Sequence, residues 1–283
     1  MKTILLGILA SDLVWPILLS IARVTGSMSV VEKVFQRVLY ERISRKRDWV
    51  ESFIRERIPA LKVTTGPFLG MQYPKLEAAG SMLAPKLLGT YESEIAGLFH
   101  PGRLAQYDTV VDVGCAEGFY AVGIALANPQ CTVYAFDISA DAQQLCHGLA
   151  EANGVADSVH VGGLCSDDDL KACVGKRALI VSDCEGAEMD VFNDSVVQEL
   201  AASDLIIEVH EHLGANLELL RERFHSTHDC EVVRCVMDAE RLETYHHQHV
   251  DGLPDQWRVI LFAECRTRAN CWLIANSRSA ANQ

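Results

Sequence analysis

Val110-Val111-Asp112-Val113-Gly114-Cys115-Ala116-Glu117-Gly118-Phe119-Tyr120 is the stretch on which the reading of this chain turns. An apolar run carrying one acid breaks at Gly114, turns to Gly118 and restarts as an apolar helix through Ala121 to Ala127. A buried parallel strand passes to a helix in this way at a ligand crevice. Glycine lets a ligand come close to the backbone, and the first N–H groups of the helix are expected to face a carboxylate or phosphate.

Downstream the alternation repeats. Residues 131–136 are β-branched and aromatic and lead to Asp137, residues 141–153 are helical and stop at Asn153-Gly154, and residues 158–161 form a short strand. Residues 178–182 and 204–209 are further buried strands, ending at Asp183 and among Glu208, His210, Glu211 and His212. Residues 213–224 and 254–265 read as helices, and 230–237 and 271–275 as strands. Such units predict an α/β fold, a doubly wound and mostly parallel seven-stranded sheet with its crevice at the carboxyl ends of the strands.

Upstream, residues 30–58 predict a helix closed by Pro59, residues 60–90 an irregular cover rich in glycine and proline, and residues 91–99 a helix leading into the opening motif. The expected organisation is a helical N-terminal extension and cover over residues 1–90 and a main domain over 91–283. Residues 4–24 are apolar, with Asp12 and Arg23 as the charges. Asp12 and Pro16 are costly within a lipid-spanning helix, so this segment is expected to pack on the protein or on a partner subunit. Peripheral membrane association through residues 4–24 and a signal or anchor role are the weaker alternatives.

With 283 residues, 49% of them hydrophobic, the chain can bury a large core. A formal charge of −13 argues against a nucleic-acid partner, which normally selects a basic surface. The ten cysteines, including Cys173, form no C-x-x-C pair, so neither a zinc knuckle nor a redox dithiol is expected and the protein reads as reduced and cytoplasmic. The basic run at Arg42, Arg45, Lys46 and Arg47 reads as a solvated helix face.

The turn also bears on the cofactor. A dinucleotide site wants G-x-G-x-x-G, whereas Glu117 places a carboxylate where a pyrophosphate would be repelled and a cationic centre welcomed. Asp137 follows Gly118 by about nineteen positions, where an acid can accept hydrogen bonds from both ribose hydroxyls. Asp112, Gly114, Ala116, Glu117, Gly118, Tyr120, Asp137, Ile138 and Asp183 are therefore the expected cofactor contacts.

On Asp112, Gly114, Gly118, Asp137 and Asn153-Gly154, the chain resembles the class I S-adenosylmethionine-dependent methyltransferases from about Tyr91 to Ala275. Ala116 stands where a middle glycine is common. Asp183-Cys184-Glu185-Gly186-Ala187-Glu188 and Ile206-Ile207-Glu208-Val209-His210 are similar to the D-x-E-G-x-E and I-E-x-H blocks of FkbM-type members. The resemblance implies a Rossmann-like fold, S-adenosyl-L-methionine as cofactor and O-methylation of a hydroxyl on a sugar or secondary metabolite.

An alcohol acceptor must lose its proton as it takes the methyl group, through a carboxylate, a histidine or a metal ion. Asp183, Glu208 and His210 are the catalytic candidates, and the same three are the candidate ligands of a divalent metal ion. On an extended segment Glu208, His210 and His212 would share one face. Tyr91, Glu92, Glu185, Glu188 and His212 are expected at the small-molecule acceptor. Two other readings stay open: an NAD-dependent oxidoreductase, and a non-catalytic S-adenosylmethionine-binding subunit that associates, as a homo-oligomer or with a partner, through its N-terminal helices.

Overall fold

The computed structural model describes residues 2–25, 29–172, 177–266 and 270–279, so Cys173 lies outside the described residues. Four helices open the chain: α1 (Lys2–Leu9), α2 (Trp15–Thr25), α3 (Ser29–Arg45) and α4 (Arg47–Arg57). The helix expected over residues 30–58 is divided at Lys46, where the backbone leaves helical geometry (φ −104°, ψ 14°). Lys46 and Arg42 both reach back to Asp12, at 3.1 and 2.9 Å, which ties the acid in the first apolar segment to α3.

The cover over residues 60–90 is irregular as its glycines and prolines predict, with one bridge between Lys62 and Gln72 and one short helix, α5 (Leu83–Leu88). Residues 91–99 depart from the expected helix. Glu92 takes a left-handed φ of +46° while its N–H donates to the Glu264 carboxylate at 2.7 Å, and only a 3-10 turn forms, Ala96–Phe99. A tertiary hydrogen bond has overridden a local propensity. The short helix α6 (Pro101–Leu104) follows.

The sheet is then built from β1 (Thr109–Val113), β2 (Thr132–Phe136), β3 (Val159–Gly162), β4 (Ala178–Ser182), β5 (Asp204–Val209), β6 (His228–Arg234) and β7 (Cys271–Ser277). Its order is β3-β2-β1-β4-β5-β7-β6, parallel throughout except for β7, which runs antiparallel to β5 and β6. Helices α7 (Phe119–Ala127), α8 (Ala140–Ala152), α9 (Asp167–Lys171), α10 (Glu188–Val191), α11 (Asp194–Val197), α12 (Leu217–Phe224), α13 (Asp238–Thr244) and α14 (Asp255–Phe262) complete the chain. Every residue of β1, β4 and β5 is buried, which explains their nearly unbroken apolar runs. Strand order reverses between β1 and β4, and a doubly wound sheet opens its crevice at that point.

One core joins Phe53, Ile54, Phe68 and Met71 to Ala121, Val122 and Ile124 of α7, and Phe68 of the cover packs directly on α7 against Phe119 and Gly123. A second lies on the opposite face, around Phe192 and Phe224. The N-terminal helices bury Trp15, Leu19, Phe35 and Leu39 with Val259 and Ile260 of α14, and Trp15 stacks on Phe35 at 5.4 Å. One face of the apolar segment is thus packed on the protein's own helices, while Ile8, Leu13 and Ile17 are exposed. No helix among the described residues is long and apolar enough to cross a membrane, and the described cysteines are free thiols.

Candidate functional site

The first wall of the cleft is made of backbone. At the end of β1, Gly114 has φ +83°, and a Cβ there would lie 1.9 Å from the Asp183 carbonyl oxygen, so glycine is required where β1 and β4 converge. The N–H groups of Gly114 and Cys115 donate to the Phe136 carbonyl at 2.8 and 3.0 Å, and that of Ala116 donates to Asp137 Oδ2 at 2.9 Å. Asp137 Oδ1 accepts from Ser139 N–H at 2.8 Å, and Asp112 Oδ2 from Ala121 N–H at 3.0 Å. The turn amides of Gly114, Cys115 and Ala116 are therefore occupied by the chain's own acceptors, as is Ala121 N–H among the helix's first amides, which the sequence reading assigned to an anion.

Three of the expected cofactor contacts turn away from the cleft, and a fourth, Ile138, is not among the residues that line it. Asp112 is buried beneath the turn, where desolvation pushes its carboxyl up to about 7 against the stabilising Ala121 hydrogen bond. Gly118 serves packing, since a Cβ at its φ of +92° would lie 2.6 Å from the Cys146 sulfur on α8. Ile138 is 82% exposed. Glu117 turns under the cover, where it pairs with Lys86 Nζ at 2.5 Å and accepts from Tyr73 OH and Ala79 N–H, both at 3.1 Å. Its charge is neutralised by Lys86, so the expected pull of Glu117 on a cationic cofactor is replaced by an anchoring role.

The second wall is made of charged side chains. Asp183 follows β4 and Glu208 lies on the adjacent strand β5, as their positions in the sequence predict. His210 follows β5, and its Nδ1 meets Glu188 Oε1 at 2.5 Å, while the same carboxylate accepts from Gly186 N–H at 3.2 Å. Glu188 is fully buried behind the imidazole, which corrects its expected place at the acceptor. The ring's other nitrogen, Nε2, points into the cleft toward Glu185 Oε2 at 3.5 Å, Asp183 Oδ1 at 3.6 Å and Glu208 Oε2 at 3.9 Å. The expected period-two face stops at His210, because Glu211–Leu213 form a 3-10 turn that leaves His212 exposed at the rim.

Protonation follows from this crowding. Burial, reinforced by Glu208, Glu92 and Glu185, holds the Asp183 carboxyl well above the usual range. Burial alone would lower His210, but the Glu188 hydrogen bond and the surrounding carboxylates outweigh it and raise the imidazole. The Glu188 carboxyl is lowered, since its bonds to His210 and the backbone exceed the cost of its burial.

Sequence reasoning missed the third element, the loop after α14. Arg266 donates through Nη2 to Glu92 at 2.6 Å, through Nε to Glu264 at 2.9 Å, and through Nη1 to Glu208. Asn270 Nδ2 also reaches Glu208, at 3.0 Å. Buried Arg241 holds Glu264 with both terminal guanidinium nitrogens, and Asp238 accepts the N–H groups of Glu264 and Cys265 at 2.8 and 3.0 Å, which clips the loop down. Burial raises Glu92 to about 8, with Arg266 opposing and Glu208 and Glu264 adding to the rise. Nothing local marks Glu264 and Arg266, whose only sign is that they follow an apolar helix.

Between these elements lies a cleft of about 490 Å³. Of the residues expected there, the structure brings together Tyr91, Glu92, Gly114, Ala116, Tyr120, Asp137, Asp183, Glu185, Glu208, His210 and His212. It adds Ser81, Phe119, Ser139, Ala142, Glu264, Arg266 and Asn270. Among the described residues, two groups can gather a cation, Asp183 with Glu185 and His210, and Glu92 with Asp183 and Glu208.

Neither a protein-family model nor a curated protein matches the chain in sequence. Among solved structures it is similar to geranyl diphosphate C-methyltransferase from Streptomyces coelicolor A3(2), at 15% identity over 68% of this chain and 79% of that one, with a TM-score of 0.44. It is also similar to StiE O-MT (14%, 68% and 75%, TM-score 0.42) and to a putative O-methyltransferase from Klebsiella pneumoniae (11%, 66% and 79%, TM-score 0.41). These TM-scores lie below 0.5, and the Rossmann-like order of the seven-stranded sheet is read from the chain's own strand pairing.

Proposed function

We propose that the protein is an S-adenosylmethionine-dependent methyltransferase that acts on a hydroxyl of a small molecule, a sugar or secondary metabolite in the FkbM-like manner. One observation carries the reading: a backbone turn with Asp137 at one side faces the His210–Asp183–Glu208 group across a single cleft. The turn's amides are bonded to Phe136 and Asp137, and Asp112 takes a donor at the start of α7. The turn also lacks the G-x-G-x-x-G cradle that a pyrophosphate needs, which weighs against the nicotinamide dinucleotide. An uncharged ribose needs no such cradle, and Asp137 retains lone pairs for its hydroxyls.

At the other wall an acceptor hydroxyl must be aligned with the methyl group and relieved of a proton. In this reading the hydroxyl lies beside Asp183, Glu208 and His210, its proton passes to the Glu208 carboxylate while the Asp183 carboxyl, held high by burial and its acidic neighbours, bonds the acceptor, and Glu188 fixes the orientation of the imidazole. Titration calorimetry tests the cofactor end. S-adenosylmethionine is expected to bind the parent and to bind Asp137→Ala about tenfold or more weakly, in line with the loss of hydrogen bonds to a charged acceptor. Equal affinity for the two proteins would refute the ribose placement, and preferential binding of NAD would favour the oxidoreductase.

A further inference from the structure

We infer that His210 Nε2, Asp183 and Glu185 form a binding site for a divalent cation of the manganese or zinc kind, with Glu188 as its positioning residue. The first argument is distance. Nε2 lies 3.5 Å from Glu185, 3.6 Å from Asp183 and 3.9 Å from Glu208, and none of these contacts is a hydrogen bond. Donor atoms arranged tetrahedrally around one cation at bond lengths near 2.1 Å are separated by roughly 3.4 Å, so the spacing is that of neighbouring ligands and not of bonded partners. The donor atoms of Asp183, Glu185 and His210 all fall within 4.8 Å of one another.

The second argument is independent of the acids. His210 is 97% buried by its 3% side-chain exposure, yet only Nδ1 has a hydrogen-bond partner while Nε2 is directed into the cleft. A carboxylate on one ring nitrogen fixes the tautomer and aims the other at a metal, the usual outer partner of a ligating histidine. Asp183 Oδ1 is likewise buried with no hydrogen-bond partner. Arg266 compensates Glu208, Glu92 and Glu264 on the far side of the group, but it makes no bond to Asp183 or Glu185. One imidazole with two carboxylates suits a first-row divalent ion better than magnesium, which prefers oxygen ligands throughout.

The site itself does not depend on methyl transfer; only its consequence rests on the reading above. A cation held by these residues would polarise an acceptor hydroxyl; its O–H proton would pass to the free carboxylate oxygen of Glu208, and the acceptor oxygen would bond to the methyl carbon as the C–S bond of the sulfonium breaks and S-adenosylhomocysteine leaves. His210 is then a ligand instead of the base that the sequence suggests.

The test uses the full chain, dialysed against chelator and titrated with Mn²⁺ by calorimetry and by loss of the free-ion paramagnetic resonance signal. The expected result is one saturable ion per chain. Glu185→Gln should weaken uptake about tenfold or more, and Glu188→Gln by about 10- to 100-fold, the range for outer-sphere partners. The Glu185 side chain is 75% exposed, so its change does not threaten folding. Asp168→Asn, in an exposed acidic run, should leave uptake unchanged. Absence of saturable uptake by the parent, unchanged affinity in Glu185→Gln, or equal losses in Glu185→Gln and Asp168→Asn would overturn the site. S-adenosylhomocysteine is titrated into the same preparations. Its binding without Mn²⁺ uptake removes the cation alone, while Mn²⁺ uptake without its binding removes the methyltransferase reading and leaves the cation.

Discussion

The two walls of the cleft are built on different principles. On one side Gly114, Cys115 and Ala116 present backbone, and the charged groups nearby, Asp112 and Glu117, are consumed in holding that backbone in place. On the other side the surface consists of Glu92, Asp183, Glu185, Glu208, His210, Glu264 and Arg266, drawn from four separate parts of the chain. The first wall is therefore intolerant of added atoms, and the second of altered charge.

The most severe way to probe that contrast is Gly114→Ala. Its Cβ would meet the Asp183 carbonyl at 1.9 Å, in a left-handed backbone region that costs alanine further strain. Neither atom can move without parting β1 from β4. A loss of about 3 kcal/mol or more is expected in denaturant unfolding, at the upper end of overpacking effects, together with loss of S-adenosylmethionine binding in calorimetry. A variant of parental stability would mean that the two strand ends are not held this close.

This division also explains what could be read from the sequence. A backbone wall is encoded locally, so the spacing of Asp112, Gly114, Gly118 and Asp137 was enough to place the crevice, and the apolar runs of β4 and β5 placed Asp183 and Glu208 on adjacent strands. The side-chain wall is assembled by tertiary contacts. Glu92 joins it because a hydrogen bond to Glu264 unwinds an expected helix, and Arg266 because Arg241 and Asp238 clip down its loop. Neither leaves a periodic trace. Glu117 and Glu188 were misassigned for the same reason, since an acid that faces a ligand and one that faces a buried Lys86 or His210 read alike in one dimension.

Lys86→Met measures how much of the first wall is electrostatic. Lys86 is buried against Glu117 at 2.5 Å and lies over the Tyr91 and Phe119 rings at 4.8 and 5.2 Å. Methionine keeps the volume and leaves Glu117 as an uncompensated buried charge, so a cost of about 3–5 kcal/mol is expected. Adding Glu117→Gln should recover much of it. If the double variant is no more stable than Lys86→Met, the loss comes from packing over the rings and not from the orphaned carboxylate.

A third probe separates the walls by their response to pH. Burial raises Asp112 from the usual carboxylate range to about 7. With the folded value above the unfolded one, its contribution to stability is complete below about pH 4 and is lost as pH rises toward 7, at no more than about 1.4 kcal/mol for each unit. Asp112→Asn keeps an oxygen that can accept the Ala121 N–H and removes the titration. Unfolding free energies of the two proteins, measured from pH 4 to pH 8, should diverge in favour of the variant through this window and run parallel above it. Groups on the other wall titrate in both proteins and cancel in the difference. A constant difference across the range would show that the carboxylate is already ionised in the folded protein, and that the backbone wall bears buried charge as readily as the wall opposite.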